Sequence, residues 1–181
     1  MIWFSADFHL SHHNILKYCN RPFGSVDEMD DCLFTMLSDT LRKGDTLYYL
    51  GDLTFKKPVA EKFFDLCGDR GTAVCFIFGN HDKGITKIVE ERAIWCEWKK
   101  YVSPNGQGIL LDHTCHRVWH KSHFNSWHCY AHSHGGLPPI GKSWDVGIDN
   151  NNYNLVSFDQ LKVIMNSSPD NFNYLSMEEK E

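Results

Sequence analysis

Asp7-x-His9 and His132-x-His134 each put two metal-binding side chains two residues apart. In extended backbone both members of such a pair point to one face. Between the pairs lie Gly51-Asp52, Gly79-Asn80-His81-Asp82 and Asp112-His113. A glycine directly ahead of Asp52 and of Asn80 lets the chain turn sharply and aim the next side chain at an ion. Asp7, His9, Asp52, Asn80, His113, His132 and His134 combine carboxylate, imidazole and amide, with no thiolate. Donors of this kind suit manganese, iron, zinc or nickel and speak against a closed structural zinc site. The set is too large for one ion and large enough for two. Two divalent ions about 3.5–4 Å apart can clamp the oxygens of a displacement at phosphorus. His81, beside an asparagine that would be an unusual ligand, is left free to act as an acid.

Eleven histidines occur in the chain, seven of them between His113 and His134. A solvated loop has no use for such a density, which strengthens the case for a metal or catalytic site.

The elements that must position these groups follow from hydrophobic spacing. Residues 2–6 read as a strand. Ser25 and Glu28 fit a capping box, and Met29, Cys32, Leu33, Met36, Leu37 and Leu41 then form one apolar stripe at helical intervals, closed by Gly44 as a C-cap. A strand over 46–50 ends in Gly51-Asp52. A helix from Pro58 to Gly68 precedes a continuous apolar run over 73–78, which suits a strand covered on both faces. A helical segment over 85–93, strands over 108–111, 127–131 and 144–148, and a helix from Ser157 to about Met165 complete the pattern. Strands alternating with helices indicate an α/β architecture. Five strands each end in a metal-binding group, and ligands in open α/β sheets gather at strand C-terminal ends. The five ends are therefore expected to converge.

The 181 residues suit one domain over 1–167 followed by a polar tail over 168–181. A net charge of −5 without a basic cluster argues against extended nucleic-acid or anionic-membrane binding. No signal peptide or transmembrane run is legible. The seven cysteines are odd in number and form no Cys-x-x-Cys pair, which points away from a disulfide framework and toward a reducing cytoplasm.

The order Asp-x-His, Gly-Asp, Gly-Asn-His-Asp, lone His, His-x-His resembles the calcineurin-like metallophosphoesterase superfamily. The likeness is closest to its small bacterial and phage phosphoesterases. His12-His13-Asn14-Ile15, Tyr18-Cys19-Asn20-Arg21-Pro22-Phe23, Trp127-His128 and Asp145-Val146-Gly147-Ile148-Asp149 carry it, and it extends to about residue 165. The resemblance implies a four-layer α/β/β/α sandwich of two mixed sheets flanked by helices. It also implies two divalent ions, manganese first, with iron, nickel or zinc as alternatives. Asp7, His9 and His134 would hold one ion, Asn80, His113 and His132 the other, and Asp52 would bridge them. A hydroxide between the ions would attack phosphorus, His81 would protonate the leaving oxygen, and Asp82 would orient His81. The implied substrate is a small phosphate mono- or diester, nucleotides and cyclic nucleotides included. Two departures stand out: Ala131 where the pattern has glycine, tolerable at negative φ, and Cys115 where a proline is frequent.

His12, beside the site, is expected to line the substrate pocket, and His123 to approach substrate. Arg21 offers a fork that suits phosphate oxygens or a structural salt bridge. The alternatives to a small-ester hydrolase are a nuclease on longer nucleic acid, a protein phosphatase, and a non-catalytic metal-bound scaffold. Net charge and chain length weigh against the first two, and the presence of His81 with every expected ligand weighs against the third.

Overall fold

The computed structural model describes residues 1–169; the expected polar tail from residue 170 onward lies outside the described residues. Among the described residues nine strands and five α-helices follow in the order β1 (Ile2–Ser5), α1 (Ile15–Tyr18), α2 (Val26–Thr40), β2 (Thr46–Tyr49), α3 (Lys57–Asp69), β3 (Ala73–Ile77), α4 (Thr86–Arg92), β4 (Trp95–Glu97), β5 (Lys99–Val102), β6 (Ile109–Asp112), β7 (Trp127–Tyr130), β8 (Ser143–Asp145), β9 (Val156–Ser157) and α5 (Phe158–Asn166).

The strands form two mixed sheets, ordered β4-β3-β2-β1-β9 and β5-β6-β7-β8. In the first, β4 to β1 are parallel and β9 is antiparallel. In the second, β5 is antiparallel and β6 to β8 are parallel. Register and side-chain alternation sort each strand between two cores. Leu47, Tyr49, Val74 and Phe76 face a layer built from α2, α3 and α4, whose Met29, Leu33, Leu37, Phe63 and Val89 are buried there. Phe4, Leu50 and Ile77 face the second sheet and pack with its Ile109, Leu111, Trp127 and Cys129. Helix α5 adds Phe158, Leu161 and Met165 to that inter-sheet core. The apolar run of β3 is thus covered on both faces, as its composition requires. Among the described residues no helix is long and apolar enough to cross a membrane.

Local signals govern the ends. Ser25 Oγ accepts from the Glu28 amide at 3.1 Å, but the Glu28 carboxylate reaches the Gly24 amide at 2.8 Å rather than that of Ser25. Helix α2 stops at Leu41, whose backbone is extended, so Gly44 is not its cap. Gly44, at φ +87°, instead turns the chain ahead of β2, its amide donating to Gly71. Asp45 fixes that turn by accepting from the Arg42 amide and the Trp3 indole. At α5 the Ser157–Gln160 capping box is complete. The strand expected over 144–148 is only Ser143–Asp145; beyond it Gly147 bridges to Ala6 of the first sheet. The tips of the two sheets touch at this point.

Candidate metal centre

Every parallel strand bearing an expected ligand ends at that junction. Asp7 and His9 follow β1, Asp52 follows β2, Asn80 and His81 follow β3, His113 follows β6, and His132 and His134 follow β7. The backbone here is unusual. Asp7, His9, Asp52, His132 and His134 all have φ between 48° and 67°, a region few non-glycine residues occupy and one that costs about 1–3 kcal/mol each. Tertiary bonds hold them there. The Asp7 amide donates to Gly51 and the His9 amide to Asp52, both at 3.0 Å, and the His132 amide donates to Asp7 Oδ2 at 2.8 Å. Ser11 anchors the loop after His9 through its amide and hydroxyl to Asp30 of α2. Gly51, at φ +90°, packs so closely on Gly79 that a Cβ would lie 2.7 Å from the Gly79 Cα, and a Cβ on Gly79 would lie 2.6 Å from the Asp52 amide nitrogen. Gly51 is needed for turning and for closeness, Gly79 for closeness.

The side chains gather into two donor groups. Asp7, His9 and His134 present ligand atoms within 4.8 Å of one another, and so do Asp52, His113 and His132. Asp52 Oδ2 lies between them, 3.4 Å from His113 Nε2, 3.6 Å from His9 Nε2 and 3.8 Å from His81 Nε2. Its other oxygen accepts from the His81 amide at 2.9 Å. Asn80 Oδ1 stands 3.2 Å from His113 Nε2 and completes the second group. Two backbone and carboxylate bonds choose which imidazole nitrogen faces inward. His113 Nδ1 donates to the Leu50 carbonyl at 2.7 Å and His134 Nδ1 to Asp149 at 2.7 Å, which leaves Nε2 of each for an ion.

Two further observations fit a cation. Asp7 Oδ1 and His9 Nε2 are buried without a hydrogen-bond partner, a costly arrangement for polar atoms that nothing coordinates. At His113 and His134 the surrounding carboxylates also favour positive charge. Burial alone would lower the His113 imidazole, yet the Asp52 hydrogen bond and the charges of Asp7 and Asp52 raise it to about 9. Against the same burial, Asp149 and Cys19 raise His134 to about 10. Asp52, despite its burial, is held down at about 2 by His113. Burial pushes Asp7 up to about 7 and His9 down to about 3.

A relative of known sequence decides the family. The uncharacterized protein MJ1445 of Methanocaldococcus jannaschii is 32% identical over 167 residues, which cover 88% of each chain. This chain belongs to its family. The protein of unknown function AQ665 from Aquifex aeolicus, known from a crystal structure, shares the fold with a TM-score of 0.71 at 20% identity, over 91% of this chain and 98% of that one. No protein-family model matches the chain.

Within this family member, three expected roles need correction. Arg21 does not face the cleft. Its side chain has no exposure, and its guanidinium donates to both oxygens of Asp149 at 2.8 Å and to the carbonyls of Asp7 and Phe8. The salt-bridge alternative describes it: Arg21 braces Asp149, which orients His134. Asp82 does not touch the His81 ring. Its carboxylate accepts from the amides of Asp52, Leu53 and Gly79 at 2.8–3.0 Å and so ties two ligand loops together. His123 lies in the turn over 122–124, against Phe124, and is not among the residues lining the cleft. His12 does line it, with His9, Asp52, His81, His132 and His134, in a cleft of about 690 Å³.

Residue typing alone gave no role to Asp145 and Asp149. Asp145 accepts from the Ser133 hydroxyl and the amides of Gly135 and Gly147, which fixes the loop carrying His132 and His134. Asp149 and Cys19 approach His134 within 4.8 Å, but the Asp149 oxygens are already engaged by Arg21 and His134. Arg21 and Asp149 therefore brace His134. The signal for both was the Asp-x-x-x-Asp spacing after the last histidine pair. Ala131 is buried and is absent from the residues at positive φ, so its methyl is accommodated.

Proposed function

We propose that this protein is a dinuclear metal-dependent phosphoesterase of the calcineurin-like type, hydrolysing small phosphate mono- or diesters in the cytoplasm. One observation carries the reading: two donor groups, each within 4.8 Å, adjoin where Asp52 Oδ2 of the second lies 3.6 Å from His9 Nε2 of the first, and the first includes buried polar atoms with no hydrogen-bond partner. Asp7, His9 and His134 would hold one divalent ion; Asn80, His113 and His132 would hold the other, with Asp52 common to both. Manganese is the first expectation and iron, nickel or zinc the alternatives, as oxygen and nitrogen donors allow. When bound, the ions supply an activated water and neutralise phosphate charge.

The chain's own residues account for the rest. Hydrolysis joins a water oxygen to phosphorus and breaks the bond to the leaving oxygen, which then needs a proton. His81, 40% exposed at the cleft and held by its amide on Asp52, is positioned to donate it. The loops carrying Asp52 and Gly79 stay in register through Asp82. A cleft of about 690 Å³ suits a small ligand, and the net charge of −5 favours it over extended nucleic acid. The seven cysteines are free thiols, in keeping with a reducing compartment.

The test is reconstitution with manganese, iron, nickel and zinc, metal analysis of the purified protein, and a panel of phosphomonoesters, phosphodiesters and cyclic nucleotides. Two ions per chain with turnover of at least one class is expected. Two ions without turnover on any class would replace this reading with a metal-bound scaffold.

A further inference from the structure

The cleft has two unlike walls. One carries the donor groups. The other begins at His12 and continues through Ile15 and Tyr18 of α1 to Cys19 and Asn20, and Phe55, on the loop after Asp52, packs against His12 and His81 at its edge. His12 sits edge-on to both rings, 5.1 Å from Phe55 at 89° and 6.2 Å from Tyr18 at 71°. Phe55 also meets His81 edge-on at 4.9 Å. Starting from the ligand His9, His12 is one ring step of 5.8 Å away and Tyr18 the next. The aromatic wall therefore starts at the donor groups and leads away from them.

Its exposure is what asks for an explanation. Tyr18 is 73% and Phe55 46% exposed, although rings of this size ordinarily bury their faces. Helix α1 has four residues, of which only Ile15 is buried, so the core does not need Tyr18 where it stands. His12 Nδ1 is buried and has no hydrogen-bond partner. Two exposed rings therefore stand against His12, at the edge of the cleft that holds Asp52.

Resting on the phosphoesterase reading, the geometry points to a substrate whose organic part carries a flat aromatic ring, received against the exposed rings of Tyr18 and Phe55 that flank His12. The ring has two chemical sources. A nucleobase reaches the rim across a sugar, and a simple aryl ester places its ring directly on the leaving oxygen. Stacking of this type does not depend on base identity, so Tyr18 and Phe55 select for a ring and not for a sequence of donors and acceptors. Because Tyr18 stands a second ring step out, the nucleobase is the source the spacing favours.

The test measures binding and turnover of adenosine monophosphate, phenyl phosphate and ribose phosphate by the manganese-loaded protein, for the parent chain and for Tyr18→Ala with Phe55→Ala. Both side chains are exposed enough for truncation to leave the fold intact. In the parent, adenosine monophosphate should bind roughly 10-fold tighter than ribose phosphate by calorimetry, the order expected of one lost base–aromatic stack. The double variant should bring that ratio close to one. Tyr18→Phe should keep it, because the ring face and not the hydroxyl is used. Phenyl phosphate favoured over adenosine monophosphate would assign the rim to a directly attached aryl ring. A parent ratio near one, or a ratio that survives the double truncation, would overturn the inference. The binding arm holds without hydrolysis, so absence of turnover across all three esters would count against the phosphoesterase reading and leave the ring preference separately decided.

Discussion

His113 and His128 are both buried, both belong to the second sheet, and stand fifteen residues apart in a histidine-rich stretch. They face opposite sides. His128, on β7, points away from the first sheet, and both its nitrogens are engaged: Nδ1 with the Leu110 carbonyl at 3.2 Å and Nε2 with the His116 amide at 3.0 Å. Burial pushes its imidazole down to about 4. His113 comes off β6 on the inner side, spends one nitrogen on Leu50, and turns the other toward Asn80 and Asp52. Burial opposes its cation too, but the carboxylates around it raise it to about 9. Both are buried. What separates a packed histidine from a candidate ligand is whether the second nitrogen is closed off by backbone or aimed at a carboxylate beside an open cleft.

The sharpest way to break this contrast is to alter the carboxylate that defines the inner side. Asp52→Asn should lower the bound manganese below two ions per chain and reduce turnover by more than the roughly 100-fold seen when an outer partner of a ligand is removed. Metal analysis after dialysis checks it, and a variant that keeps two tight ions would end the bridging assignment. His81→Ala comes next: both ions should stay while turnover falls on the order of 10²–10⁴-fold. Unchanged turnover would remove His81 from the chemistry. Asp149→Asn tests the brace. With His134 no longer oriented by Asp149 and Arg21, ion affinity should weaken about 10- to 100-fold in a manganese titration.

The outer side should respond least, and in a different observable. His128→Gln should leave metal content and turnover within about twofold of the parent. Its effect should be confined to stability against pH. Because the folded imidazole has a pKa of about 4 against an ordinary 6.5, the unfolded chain binds the proton more readily. The contribution of neutral His128 is therefore complete above pH ~6.5 and lost as the pH falls toward ~4, by about 3 kcal/mol at most. Denaturation curves over that window should be flatter for the variant. A steeper curve, or loss of an ion, would put His128 on the same footing as His113.

Much of this arrangement was legible from residue spacing. The strands β1, β2, β3, β6 and β7 announced themselves as apolar runs, and each stopped at the group now found at the sheet tips. Strands β4, β5 and β9 did not. Their two to four residues mix tryptophan, lysine, glutamate and serine at the sheet edges, where neither face imposes a clean alternation. Asp82 was read in the wrong sense, and residue type left the two readings of Arg21 undivided, for a related reason. Their types suit phosphate binding and acid–base support, but their partners are Asp149, which lies 128 residues further along the chain, and the Asp52 amide, 30 residues back. No local pattern encodes either pairing.

The amino-acid order by itself determined the α/β class, the set of donor residues and their attachment to strand ends, because periodicity and residue chemistry are local properties. The division of those donors into two groups was implied by family resemblance, and the tertiary structure brings the same groups together. Only the tertiary structure decided which imidazole nitrogen each presents, and which nearby polar residues are braces. Those outcomes depend on positive-φ backbone held by bonds between loops, and on burial that leaves Asp7 Oδ1 and His9 Nε2 without hydrogen-bond partners. Both arise only where the two sheets meet.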